Sequence, residues 1–120
     1  MEVENPKGKL LKHLTQTAML ADVDKVISVS KLKTHGMMTF TGAVKNQFGT
    51  VPGTKKAEYH FRMPQSADFA DALIDICLAA HPVLCWMDGI MAMEGNGPTG
   101  GTPRKVGVLL ASENPFDLDL

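Results

Sequence analysis

Residues 31–49 read KLKTHGMMTFTGAVKNQFG, and they follow the β-branched run Val26-Ile27-Ser28-Val29. A strongly apolar strand, a basic loop and then a short helix is the local order of an α/β sheet. Thr41, Ala43, Val44 and Phe48 have helical spacing, and Gly49 stands where a C′ glycine would end that helix. Lys31, Lys33, His35, Lys45 and Asn46 fall within one loop and one helical turn. Loops that follow buried strands are where α/β proteins place ligand chemistry, so these five are candidate ligand-binding and acid–base groups. A solvated basic turn is the competing reading, and spacing does not decide between them.

Downstream, Ser66–Ala80 carries the clearest helical period. Phe69, Leu73, Ile76, Cys77 and Ala80 form one apolar stripe, widened by Ile74 and Leu78, while Asp71 and Asp75 fall on a more polar side. Ser66 is placed to N-cap it, with Asp68 near the positive end of the dipole, and Pro82 stops it. Val83–Met87 is a continuous apolar run of strand length, as in a buried parallel strand. A right-handed crossover is expected from a strand over 25–30, through this helix, to a strand over 83–88. Val106–Ala111 reads as a further strand and Leu10–Thr15 as another. The segment 50–64 has no period and reads as a long loop. Asn114 with Pro115 is a helix start.

Between the last two strands lies a Gly-rich segment. Asp88 ends an apolar run, Glu94 follows, and Gly95-Asn96-Gly97-Pro98-Thr99-Gly100-Gly101-Thr102 has the spacing of a phosphate loop up to Gly101. Gly101 stands where the phosphate-binding lysine belongs, and a strand follows instead of the required helix, so the P-loop reading fails. Two readings remain: a backbone nest for an anion, using Gly95 and Gly97, or a tight reversal between adjacent strands. Asp88 and Glu94 are candidate catalytic carboxylates beside either one.

The chain has 120 residues, 44% of them hydrophobic, and a formal net charge of −1. That balance suits one compact domain and gives no overall electrostatic case for nucleic acid or an acidic membrane. Charge is nevertheless uneven. Lys31, Lys33, Lys45, Lys55, Lys56 and Arg62 are half of the 12 basic residues, and Glu58 is the only acid between Lys31 and Gln65. A small anionic ligand is the partner this asymmetry favours. A nucleic-acid partner is the weakest reading, since the aromatics nearby form no recognised module. No apolar run reaches the roughly 18 residues of a membrane span, and the polar N-terminus holds no secretory core, so no membrane partner and a cytoplasmic location are expected.

Cys77 and Cys85 are the only cysteines, each in an apolar run. An iron–sulfur cluster takes about four thiolates. No cofactor is therefore expected within these residues, and both cysteines are read as core residues. No His, Cys or carboxylate stands at metal-site spacing beside His13, and no metal ligands are assigned.

Ile27–Gly49, with its Lys-Leu-Lys-Thr-His and Thr-Gly-x-x-Lys-Asn-x-x-Gly segments, resembles the signature of the domain-of-unknown-function 362 family. The likeness continues through His81-Pro82, Met87-Asp88-Gly89, Met93–Pro98, Gly101 and Ala111–Pro115. The resemblance implies a fragment of a longer protein, often fused to a ferredoxin-like module with two 4Fe–4S clusters. It names no reaction.

The expected fold is α/β, a mainly parallel sheet of three to four strands flanked by helices, in a single domain over 1–120. Three functions compete. One is a domain of a redox or metal-linked protein with its clusters elsewhere, in which Lys31, Lys33 and Lys45 hold negative charge, His35 acts as acid or base, and Asp88 and Glu94 orient a polar group. The second is a non-catalytic anion-binding or scaffold module, and the third a nucleic-acid binder.

Overall fold

A computed structural model describes residues 1–35, 39–96 and 100–119, with the side chains of 35 and 39–41 left aside. The chain divides into two compact units, Met1–Val26 with Gln47–His81, and Ile27–Asn46 with Pro82–Leu120.

The first unit contains strands β1 (Glu2–Glu4) and β2 (His13–Thr15), paired antiparallel with Val3 opposite Leu14. It also holds 3₁₀ turns at Ala18–Ala21 and Gln47–Thr50, and helices α2 (Gly53–Arg62) and α3 (Ser66–Ala80). All five residues of the expected stripe on α3 are buried. Phe69 meets Phe48 edge-on at 5.4 Å and stacks on His60 at 4.4 Å between ring centroids. The flanks of the stripe are reversed from expectation: Ile74 and Leu78 are exposed, and Asp75 is 1% exposed. The cause is the chain before β2. Asp75 Oδ1 accepts the Lys9 amide at 2.8 Å, and Oδ2 accepts the amides of Leu10 and Leu11 at 2.7 and 2.8 Å. A carboxylate so fully bonded can be buried, whereas one without partners cannot.

Two local expectations also change here. The stretch read as a loop after Gly49 holds the ten-residue helix α2. Of its residues only Tyr59 is buried, so no apolar stripe announces it. Gly49 lies inside the 3₁₀ turn and is not a left-handed cap, a role that His81 fills at the end of α3 with φ 51°. Gln65, without a side-chain cap bond, precedes α3 in place of the expected Ser66.

The second unit is built on a four-stranded sheet, β4 (Thr39–Thr41), β3 (Ile27–His35), β5 (Leu84–Glu94) and β6 (Thr102–Ser112), in that spatial order. It is an α/β arrangement, but the sheet is mixed and not mainly parallel. Only the central pair β3–β5 is parallel; β4 and β6 run antiparallel to their neighbours. The reason is connection length, since a strand reached by a short reversal must return antiparallel, and only a long crossover restores direction. Gly95, at φ +88°, follows β5, and Glu94 pairs with Thr102, so the chain reverses between these adjacent antiparallel strands; residues 97–99 of the glycine-rich segment lie outside the described residues.

The longer strands relocate the candidate groups. Lys31, Lys33 and His35 belong to β3, and Asp88 lies within β5, so the expected loops after strand ends begin later than the sequence suggests. The short helices α1 (Ala43–Asn46) and α4 (Pro115–Asp119) pack on one face of the sheet, over its central strands. Ser28, Ser30, Cys85 and Met87 are buried on that face. Asn46 Nδ2 donates to Ser28 Oγ at 3.0 Å and to the Val29 carbonyl at 3.3 Å, which ties α1 to β3. Asp119 accepts the amides of Ala43 (2.7 Å) and Val44 (2.9 Å), so α4 caps α1. Asn114 in turn caps α4, its Oδ1 accepting the Phe116 amide at 2.8 Å, as its position before Pro115 predicts.

Candidate functional site

Strand alternation sends Ile27, Val29 and Lys31 to the face opposite Ser28 and Ser30. On β5 the register partners of those three are Leu84, Trp86 and Asp88. Lys31 and Asp88 therefore stand side by side, with Nζ 3.8 Å from Oδ2. Both side chains are close to half exposed, at 47% and 44%. The second Asp88 oxygen, Oδ1, accepts the Ile90 amide at 2.9 Å. One carboxylate thus holds a turn of its own strand and a lysine of the next.

The backbone at this point is irregular. The regular parallel register ends at Lys31–Asp88 and resumes at Lys33–Met93, with Leu32 of β3 set against Gly89–Ala92 of β5. On the other side the β5–β6 register shifts between Gly89 and Met91, near Gly107 at φ +79°. Gly107 supplies the left-handed residue that a bulge of this kind needs. Gly89 is required by space: a Cβ there would lie 2.6 Å from Val108 Cγ2 and 3.2 Å from the Val108 carbonyl oxygen. Bulges of this kind re-aim side chains and are frequent beside functional sites.

The remaining candidates are dispersed around that point. Lys33 is half-buried, opposite Met93 and Thr41. His35 ends β3 opposite Thr39, and its imidazole lies outside the described residues, as does Gly97. Thr34 Oγ1 donates to the Gly95 carbonyl at 2.8 Å, fixing the start of the glycine-rich reversal to β3. Glu94 pairs with Arg104 across the β5–β6 hairpin at 3.0 Å. Lys45 sits on α1, and the amide of Asn46 is committed to β3 on the face opposite Lys31. The basic stretch itself is divided between units. Lys55, Lys56 and Arg62 are on α2, where Glu58 pairs with Lys55 at 2.9 Å and with Arg62 at 3.5 Å.

Arg104, Thr34 and Gly107 are the groups at this site that sequence reasoning passed over. Thr34 was inside the quoted motif, and Gly107 interrupts an apolar strand, which is itself a bulge signal. Arg104 had no signal beyond its position before the strand. Cys77 and Cys85 are both buried, and burial pushes the Cys85 thiol pKa up, helped by nearby Asp119. The pKa of Asp119 is also raised by burial, against the lowering effect of its two backbone bonds. Among the described residues no group of three His, Cys, Asp or Glu is placed to hold a metal ion.

A family model described as "Domain of unknown function (DUF362)" matches residues 1–120. The chain belongs to this family. It is also 46% identical over 108 residues to the thylakoid-associated protein sll1697 of Synechocystis sp.. That match covers 89% of this chain and 34% of the relative, so the chain spans about a third of the relative's length. No solved structure matches. Among the described residues no helix is long and apolar enough to cross a membrane.

Proposed function

We propose that these residues form the ligand-binding part of a larger redox or metal-linked protein, with any 4Fe–4S clusters in a ferredoxin-like part of the same polypeptide. The ligand is a small anion, a phosphate or a carboxylate, and Lys31 is its anchor. The observation that supports this reading is the Lys31–Asp88 pair, half exposed where the central parallel ladder breaks. At 3.8 Å the pair is longer than a charge-assisted hydrogen bond, so an incoming anion displaces little when it takes the ammonium from Asp88. Asp88 stays in place through its bond from the Ile90 amide, where it competes with the anion for the ammonium and orients a hydrogen-bond donor on a ligand that carries one. Lys33 adds positive charge, and His35 is the acid–base group at the end of the same strand.

A second reading, anion binding without catalysis, is favoured by groups that are already engaged. Glu94 is paired with Arg104 and the Asn46 amide with β3, so two of the candidates act as supports. The cytoplasmic placement belongs to this proposal; association with the thylakoid, as in the relative's name, is the alternative.

The test is a phosphate and acetate titration followed through backbone amide signals. The expected result is a joint, saturable shift of residues 31–35 and 88–95, weakened about tenfold in Lys31→Ala, as loss of one charged hydrogen bond predicts. Shifts scattered over all exposed lysines, abolished by salt and unchanged in Lys31→Ala, would overturn the reading.

A further inference from the structure

The face of the four-stranded sheet that carries Lys31 and Asp88 is otherwise apolar and open. Ile27 is 59% exposed, Val29 68%, Trp86 40% and Leu109 56%. Register makes them one patch: Ile27 is opposite Leu84, Val29 opposite Trp86, and Asp88 stands between Lys31 and Leu109. On the other face α1 and α4 lie over the central pair, where Ser28, Ser30, Cys85 and Met87 are buried, while Leu110 of β6, opposite Met87, is 40% exposed. The larger apolar side chains of the parallel pair, Ile27, Val29, Leu84 and Trp86, are on the open face, whereas the face under α1 and α4 carries the smaller Ser28, Ser30 and Cys85 with Met87. A contiguous apolar patch of this kind, with only a loose ion pair in it, marks a packing surface.

We propose that this face is covered by a layer of amphipathic helix belonging to the same polypeptide, outside residues 1–120. Two observations select that occupant over a second copy. The chain spans 34% of the relative that it matches at 46% identity, so most of that relative's length has no counterpart here. The central parallel pair also belongs to an architecture in which chain segments of the same polypeptide lie over each face of the sheet. The covering helix sets Leu, Ile or Val against Val29 and Trp86, and ends short of Lys31 and Asp88 or meets them with a polar side chain, since a buried ion pair without further partners is costly. The layer then forms the second wall beside Lys31, and the open flat face becomes one side of a cleft.

Hydroxyl-radical footprinting of the unmodified protein expressed from its complete gene tests this. Phe61 and Met19, 88% and 71% exposed, serve as internal references. After correction for intrinsic reactivity, Trp86 and the peptide bearing Val29 should be protected about tenfold or more relative to Phe61, because only local opening then exposes them. The protection should not change with protein concentration, and the protein should sediment at the mass of one polypeptide. Trp86 reacting as readily as Phe61 would overturn the proposal. So would protection that grows with concentration alongside a doubled mass, which would assign the face to a second copy, and so would a complete gene encoding only these residues. Val29→Cys, followed by maleimide labelling of native protein against Met19→Cys, gives the same comparison without relying on radical chemistry.

Discussion

Asp75 in the first unit and Asp88 in the second are carboxylates held in opposite ways. In the first, Asn5, Gln16 and Asp75 are buried and bonded into the packing: Asn5 Nδ2 donates to the carbonyls of Leu11 (3.2 Å) and Asp75 (3.0 Å), and Gln16 Nε2 to Thr50 Oγ1 (3.1 Å) and the Ile76 carbonyl (3.3 Å). In the second, Lys31 and Asp88 lie half exposed and loosely paired, 3.8 Å apart, on an open apolar face. A buried polar group with all its partners specifies a fold and has no bonding capacity left for a ligand. A half-exposed pair contributes little to stability and can exchange partners. The first unit is therefore read as scaffold and the second as the place where chemistry is available.

The largest expected effect breaks the scaffold side of that contrast. Asp75→Ala removes the acceptor of three backbone amides, and should cost about 3–5 kcal/mol in denaturant unfolding, since each bond to a charged group is substantial and the amides are left unpaired. Asp75→Asn keeps one acceptor and should cost less. A loss below about 0.5 kcal/mol for the alanine variant, the range of an ordinary surface change, would mean that Lys9–Leu11 does not depend on α3.

Next in size is the irregular backbone beside Lys31. Gly89→Ala drives a methyl into Val108 and should cost about 1–3 kcal/mol by overpacking. Gly107→Ala meets no atom within 4 Å, so its cost of about 1–2 kcal/mol comes only from the left-handed backbone. Val108→Ala combined with Gly89→Ala should recover part of the loss, whereas it should recover none of the Gly107→Ala loss. Equal rescue of both in thermal unfolding would show that the two glycines do not have separate reasons.

Much of this was legible in the residues, and the failures have physical causes. The α3 stripe, the Asn114 cap and the apolar strands at 27–30 and 84–87 follow from period and composition. The positions of Ile74 and Asp75 do not. A helical period ranks positions by hydrophobicity, and it cannot foresee that three amides of residues 9–11 will meet one carboxylate 65 or so positions later, as chain-distant bonds leave no local signal. Helix α2 was hidden because it buries one side chain. The direction of β6 is legible in principle, because one of the two readings of the glycine-rich segment, a reversal between adjacent strands, implies an antiparallel neighbour and not a mainly parallel sheet. At the site, the Lys31–Asp88 pairing follows from strand register, which sequence does not supply.

Asp119 gives a pH-dependent comparison within the second unit. Burial raises its pKa above the ordinary 3.8 of an aspartate, although the Ala43 and Val44 amides pull the other way. A carboxylate with a raised folded-state pKa contributes stability that is fully present below the unfolded value and is lost as pH rises through the folded value. The stability of the wild-type protein relative to Asp119→Asn should therefore fall as pH rises from 3.8 upwards. A difference that grows over that window in urea unfolding would mean that the two amide bonds outweigh burial.

The smallest stability effect carries the most information about function. Lys31→Ala and Asp88→Asn should each move the unfolding free energy by no more than about 0.5 kcal/mol, with a coupling of about 0–1 kcal/mol in the double-mutant cycle, as for other exposed pairs. Their effects on anion binding should be large and opposite. Lys31→Ala removes the cation that holds the anion and should weaken phosphate binding about tenfold. Asp88→Asn keeps an oxygen for the Ile90 amide but withdraws the carboxylate that competes for the ammonium, so phosphate should bind more tightly, by a few-fold. The signs follow from Coulomb attraction to one lysine shared between two acceptors. If Asp88→Asn weakened phosphate binding, Asp88 would be supporting the anion and not competing with it. If either substitution cost several kcal/mol of stability, the pair would belong with Asp75 among the supports of the fold, and the division between the two units would fail at the residue on which it rests.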